Sequence, residues 1–166
     1  MSNIVLIGAG GNVGSRILQN SIHSYIQIDL HNQSDFYKLQ KIDIVLHFGE
    51  MSSPSLSVED SLSNLEATLA YYKYARRIGC STFVYASSHR VFGSWEKSLD
   101  TSLHPITNYG RAKSISERLL RDFSEDMATI VLRIGTLLGD DSISNRELEM
   151  QYGEWEGKYD YSRSLF

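Results

Sequence analysis

Residues 4–14 read Ile4-Val5-Leu6-Ile7-Gly8-Ala9-Gly10-Gly11-Asn12-Val13-Gly14. Four apolar, mostly β-branched residues in a row predict a strand buried on both faces, as in a parallel sheet. The glycines behind it predict a tight strand-to-helix turn, and Ser15 to Asn20 reads as a short helix. In that setting each glycine has a separate use: one makes the turn, one lets the backbone approach a diphosphate, one lets the helix pack close to the sheet. The first amides of the helix then offer a partial positive charge to phosphates. Gly8, Gly11 and Gly14 are spaced G-x-x-G-x-x-G; the G-x-G-x-x-G register would need a glycine where the chain has Val13.

Outward from this turn, strands and helices alternate. Tyr25 to Asp29 predicts a second strand, residues 35–41 a helical turn or two, and Ile42 to Phe48 a third strand. Residues 56–79 predict a long helix, with Leu62, Leu65, Leu69, Tyr72 and Ile78 near the 3.6-residue period and Gly79 placed to end it. Thr82 to Ala86 reads as a fourth strand, followed by a loop to about 106. Residues 108–124 predict a helix striped by Ile115, Leu119 and Phe123, and Thr129 to Ile134 a fifth strand. Five such alternations predict right-handed βαβ units and an α/β, Rossmann-like, doubly wound parallel sheet covered on both faces. The expected domain spans residues 1–139, and residues 140–166 read as a short irregular polar and aromatic tail.

The bulk composition limits the function classes. The chain has 166 residues, 42% hydrophobic and 22% charged, which suits one globular domain. A net charge of −4 argues against a dedicated nucleic-acid surface. Cys80 is the one cysteine, so no internal disulfide can form. No apolar run reaches the ~18 residues of a membrane span, and Met1-Ser2-Asn3 lacks the basic region of a signal peptide. A cytoplasmic protein without membrane or metal site is expected.

Three further features carry chemistry. Asp29 lies 21 residues past Gly8 at the end of the second strand, where an acid bonds the ribose hydroxyls of a dinucleotide. A carboxylate there favours NAD, while Arg16 keeps NADP open. Only one strand separates the glycine turn from the Ile42–Phe48 strand, so contact of Asp29 with an adenine is the alternative. Tyr109 and Lys113 are four apart at the start of a helix and share a face. A phenol is a poor acid–base at neutral pH, and a nearby ammonium would lower its pKa. Ser88 ends the fourth strand at the carboxyl edge where open parallel sheets bind ligands.

Together these residues resemble the extended short-chain dehydrogenase/reductases, the nucleotide-sugar epimerase/dehydratase family. The resemblance rests on the Gly8/Gly11/Gly14 turn, Asp43-Ile44-Val45-Leu46-His47-Phe48-Gly49, Asn64, Phe83-Val84-Tyr85-Ala86-Ser87-Ser88 with Val91-Phe92-Gly93, Pro105 ahead of Tyr109 and Lys113, and Arg133 with Gly139. It implies that Tyr109 is the acid–base, that Lys113 is its partner and a ribose ligand, and that Ser88 polarises the substrate oxygen. It implies Asn12 and Val13 on the diphosphate, Phe48 and Gly49 lining the cofactor cleft, and Asn64 supporting the site. It also implies a nucleotide-sugar substrate and a homodimer through the helices at 56–79 and 108–124. Such enzymes usually run to about twice this length, so the sheet is expected to be shortened and to lack the usual C-terminal substrate lobe. The expected function is an NAD(P)-dependent oxidoreductase, epimerase or dehydratase. The alternative is a non-catalytic NAD(P)-binding module, or a truncated family member that needs a partner chain. His89 and Arg90 read either as phosphate ligands or as a solvated loop, and Glu50 puts a carboxylate near the cofactor cleft without an evident role.

Overall fold

The structure is a computed structural model that describes residues 2–29, 31–53, 55–93 and 103–135. They belong to a compact unit, Met1–Gly135; the second unit, Thr136–Phe166, lies outside the described residues, and with it Gly139 and the expected tail at 140–166.

The elements follow in the order β1 (Ile4–Ile7), α1 (Asn12–Asn20), β2 (Ile26–Ile28), α2 (Gln33–Phe36), β3 (Ile44–His47), α3 (Val58–Arg77), β4 (Thr82–Ser88), a 3-10 turn (His89–Phe92), α4 (Asn108–Asp122) and β5 (Ala128–Ile134). The strands form one parallel sheet in the order β2-β1-β3-β4-β5. Strand order therefore reverses between β1 and β3, the switch point where such sheets bind ligands beyond their carboxyl ends. Right-handed crossovers put α1 on one face and α2, α3 and α4 on the other. Among the described residues a single strand, β2, flanks β1 on its outer side, as the short spacing in the sequence predicts.

The core lies under α3. Val5, Val45 and Phe83 are fully buried on the sheet, and Phe36, Tyr71 and Tyr74 pack above them with ring centroids 4.9 to 5.5 Å from Phe36. Two hydroxyls on α3 are bonded within the fold. The Tyr74 hydroxyl donates to the carbonyls of Tyr37 and Leu39, at 2.6 and 3.0 Å. The Tyr72 hydroxyl meets the carbonyls of Leu120 and Phe123 and the hydroxyl of Thr129. These bonds let Tyr72 and Tyr74 fill a sheet-facing layer with their polar tips satisfied, whereas the buried Tyr85 hydroxyl of the same core has no partner among the described residues.

The helix faces differ from the periodicity reading. The buried side of α3 is Ser61, Asn64, Thr68, Tyr71, Tyr72, Tyr74 and Ala75, while Leu62 is half exposed and Leu65 and Leu69 are only partly buried. In α4 the buried side is Gly110, Ala112, Lys113, Ser116, Glu117 and Leu120, and Ile115 and Phe123 are exposed. Apolar period identifies a stripe but not what covers it, and here the sheet takes the polar and aromatic stripe instead. Gly79 ends α3 as expected, with φ +76° just past Ile78. Cover is also one-sided on β5: Thr129 and Val131 face α3 and the core, and Ile130 and Leu132 on the other face are 46% and 40% exposed.

Candidate active site

The glycine turn brings backbones together more closely than any side chain would allow. Gly8 has φ +85°, and its amide donates to the carbonyl of Ile28 at 2.7 Å. A methyl group on Gly14 would lie 2.0 Å from the Gly8 oxygen, and one on Gly8 would lie 2.5 Å from the Gly49 Cα. Gly11 precedes α1 as its cap, so no side chain caps that helix, and its first turn holds no acid. The other long helices differ: Ser57 accepts from the Asp60 amide at α3, and Thr107 accepts from the Gly110 amide at α4. Among the described residues no side chain accepts from the amides of Asn12, Val13 and Gly14.

Asp29 sits against this turn. Its Oδ1 accepts from the Gly10 amide at 2.9 Å, and its own amide is held by Asn32 Oδ1 at 2.6 Å. Uncapped helix amides beside a partly exposed carboxylate form a donor and acceptor set that fits a dinucleotide, the amides for a diphosphate and the acid for a ribose diol.

The second half of the cleft begins where β3 ends. The Phe48 amide donates to the Ile7 carbonyl at 2.9 Å, and Gly49 packs on Gly8. Asn64 Nδ2 donates to the Met51 carbonyl at 2.8 Å and its Oδ1 accepts from the Met51 amide at 3.1 Å. Both ends of this amide are therefore spent on pinning the β3–α3 loop.

Ser88, Tyr109 and Lys113 come together at the carboxyl end of β4. Ser88 lies close enough to Tyr109 to act on its phenol, and Ser88 Oγ accepts from the Arg90 amide at 3.2 Å. Gly110 lets α4 lie against the Arg90 carbonyl, which a methyl group would meet at 2.6 Å. The Lys113 ammonium lies one turn along the helix, 5.7 Å from the Tyr109 ring centroid and 4.5 Å from that of Tyr85.

The ammonium does not act on the phenol as the sequence suggests. Lys113 Nζ donates to the Ala86 carbonyl and pairs with Glu50 Oε2 at 2.9 Å, both side chains being almost wholly buried. Burial pushes the Tyr109 phenol up to about 12, and the Glu50 charge adds to this; the neighbouring Ser88 hydroxyl and the Arg90 charge oppose it. The expected lowering is thus reversed, because the nearest carboxylate takes the lysine and burial favours the neutral phenol. Burial likewise lowers Lys113 below the ordinary lysine value, with Glu50 opposing.

Glu50 has more partners. Its Oε1 accepts from Thr68 Oγ1 at 2.6 Å, and Thr68 Oγ1 lies 2.8 Å from His47 Nε2. A carboxylate only accepts, so the Thr68 proton goes to Glu50 and the hydroxyl oxygen accepts from His47. His47 therefore carries its proton on Nε2, and its buried Nδ1 is without a partner. A neutral ring is what this requires; burial lowers His47 to about 4, Lys113 adds to the effect and Glu50 opposes it. Burial raises the Glu50 carboxyl, but Lys113, His47 and Thr68 outweigh that and hold it below its ordinary value.

A second buried carboxylate braces the strand ends. Glu117, fully buried, accepts from Ser87 Oγ and is held by Arg133 Nη2 at 2.8 Å, while the Arg133 guanidinium lies 4.9 Å from the Phe92 ring centroid. The sequence marked Arg133 but not Glu117, whose place four residues past Lys113 on the same helix face was the available signal. Thr68 gave no signal of its own.

A profile of the NAD dependent epimerase/dehydratase family matches residues 4–151. The chain is 24% identical to the UDP-glucose 4-epimerase of Rhizobium meliloti (strain 1021), over 93% of this chain and 56% of that protein. It is also 24% identical to the uronate dehydrogenase of Pseudomonas syringae pv. tomato, over 81% of this chain and 59% of that one. Among solved structures, UDP-glucuronic acid 4-epimerase from Bacillus cereus in complex with NAD superposes with a TM-score of 0.67 at 22% identity, covering 82% of this chain and 57% of that one. The chain spans a little over half the length of these curated relatives. With the family profile covering most of its residues, this chain belongs to the NAD dependent epimerase/dehydratase family.

Proposed function

We propose that residues 1–139 form the cofactor-binding domain of an NAD-dependent oxidoreductase of the epimerase/dehydratase type, acting on a nucleotide sugar. The observation that carries this reading is the convergence of Ser88, at the carboxyl end of β4, with Tyr109 and Lys113 one turn apart on α4, where Gly110 lets the helix close on the Arg90 carbonyl. Asn12, Val13 and Gly14 amides would hold the diphosphate of NAD, with Gly8 and Gly11 giving it room. Asp29 would accept from the adenosine ribose and disfavour a 2′-phosphate, Phe48 and Gly49 would line the cleft, and Asn64 would keep the adjoining loop in place. When bound, NAD supplies a hydride acceptor and donor for the sugar carbon. Ser88 then orients the sugar oxygen, Tyr109 gives or takes its proton, and Lys113 holds the nicotinamide ribose and the charge beside the phenol.

A homodimer through α3 and α4 is part of the proposal. Leu62, Ile115 and Phe123 are exposed on their outer sides, and an apolar patch of this kind fits a second copy of the same helix pair. A cytoplasmic setting agrees with the single cysteine; no helix among the described residues is long and apolar enough to cross a membrane.

One observation favours a second reading, a dinucleotide-binding module without turnover: Glu50 occupies the lysine and the phenol is held near 12. The deciding experiment measures NAD binding by calorimetry and hydride transfer on UDP-sugars, for the native chain, Gly11→Asp and Tyr109→Phe. Binding lost in Gly11→Asp and turnover lost in Tyr109→Phe support the enzyme. Binding without Tyr109-dependent turnover supports the module, and no binding by the native chain overturns both.

A further inference from the structure

We propose that Glu50 is a positioning residue of this site: as the buried counter-ion of Lys113, it governs how much of the ammonium's charge reaches the Tyr109 phenol. The inference rests on the reading of Tyr109 and Lys113 as the proton-transfer pair and deepens it.

The carboxylate is built in rather than draped over the site. Its Oε2 lies 2.9 Å from Lys113 Nζ, and its Oε1 takes the Thr68 hydroxyl proton at 2.6 Å. Thr68 is in turn fixed by His47, which is 1% exposed and set in β3. The backbone just past Glu50 is pinned by the two Asn64–Met51 bonds. Two elements, β3 and α3, therefore hold the carboxylate in one place while α4 delivers the lysine.

A buried ammonium beside a phenol has two extreme settings. Unpaired, its field stabilises phenolate and makes the tyrosine a competent base. Paired with a carboxylate in contact, it presents the phenol with two opposite charges that largely cancel, and the tyrosine rests as an acid. Pairing also keeps both groups ionised inside the protein, where either alone would neutralise. The charged and titratable groups around the pair are His47 from β3, Tyr85 from β4, Arg90 from the 3-10 turn, and Tyr109 and Glu117 from α4. His47 is neutral, the Tyr85 phenol is raised well above its usual value, first by burial, and Glu117 is matched by Arg133. Glu50 is thus the group that opposes Lys113 at the phenol. An ammonium has three protons; Ala86 and Glu50 take two of them, so a ribose hydroxyl that takes the third, or draws the amine off Glu50, changes the setting.

The test reads the phenol directly, without turnover. The full chain is labelled with 13C in its tyrosine rings, and the Tyr109 signal is assigned by its loss in Tyr109→Phe. At a fixed alkaline pH where the fold persists, the Tyr109 phenolate fraction is compared in native, Glu50→Gln and Glu50→Asp chains. The expected result is a rise of about tenfold or more in Glu50→Gln, equal to a pKa unit, with Glu50→Asp remaining near native. An unchanged or lower fraction in Glu50→Gln overturns the proposal. Should Glu50→Gln not fold, Lys113→Met tests the same pair from the other side. Carboxyl NMR should then find Glu50 titrating a unit or more higher, and an unshifted Glu50 overturns the proposal. NAD binding to the native chain is measured alongside: its absence removes the functional reading while leaving the titration result to stand on its own.

Discussion

The two ends of the cleft are made of different material. At the β1–α1 turn the groups proposed to meet a ligand are, Asp29 apart, backbone amides, and side chains matter by being absent. At the β4–α4 end the groups are side chains from four elements, most of them paired with one another, while His47 Nδ1 and the Tyr85 hydroxyl are buried without a partner among the described residues. A site made of backbone must write itself into local sequence, because only glycine fits where a Cβ would lie 2.0 Å from a carbonyl oxygen, as at Gly14 beside Gly8. A site made of side chains can recruit its members from anywhere in the chain.

The sharpest way to break the backbone end is Gly14→Val. With the Gly8 oxygen where its Cβ must go, the variant should lose about 3 kcal/mol or more, read as failure to recover a cooperative thermal transition. Retained melting would mean that α1 can pull away from β1 at little cost. At the side-chain end, Glu117→Ala removes a fully buried carboxylate that serves Ser87 and Arg133. The expected loss is about 3 kcal/mol, the low end for a broken buried pair because Arg133 reaches partly into solvent; urea titration measures it. Smaller again is the effect of acid on His47. In the unfolded chain histidine takes a proton near pH 6.5, and in the fold not until about 4. The unfolded state therefore holds more protons between those values, so stability is complete above the upper one and falls as pH drops through the window. The loss at pH ~5 should be about 2 kcal/mol, and His47→Gln, which keeps a donor toward Thr68, should flatten this slope.

The same contrast explains what could be read in the sequence. Ile4–Ile7, the glycine turn and Gly79 are local devices, and each lies where local chemistry puts it. The bounds of β2 are narrower than the Tyr25–Asp29 reading, since β2 ends at Ile28 and leaves Asp29 to turn toward Gly10. The helix faces differ from the periodicity reading because leucine spacing says nothing about Tyr71 and Tyr74, and because the hydroxyls of Tyr72 and Tyr74 find carbonyls or a hydroxyl only in the folded chain. Ser88, Tyr109 and Lys113 were legible as residue types, yet the sign of the effect on the phenol was not. That sign depends first on the burial of the phenol and then on Glu50, a residue of another loop whose partner is fixed only when α4 packs against β4.

The abutment of Gly8 on Gly49 has one more consequence. Neither residue can carry a side chain there without moving the other strand, so the loops leaving β1 and β3 are geared to each other. A residue inserted into the first loop would shift the second, and with it the acid that follows Gly49. Length changes on the nucleotide side and on the proton side should therefore be inherited as matched sets, and grafting one loop alone from a homologous scaffold should misalign both.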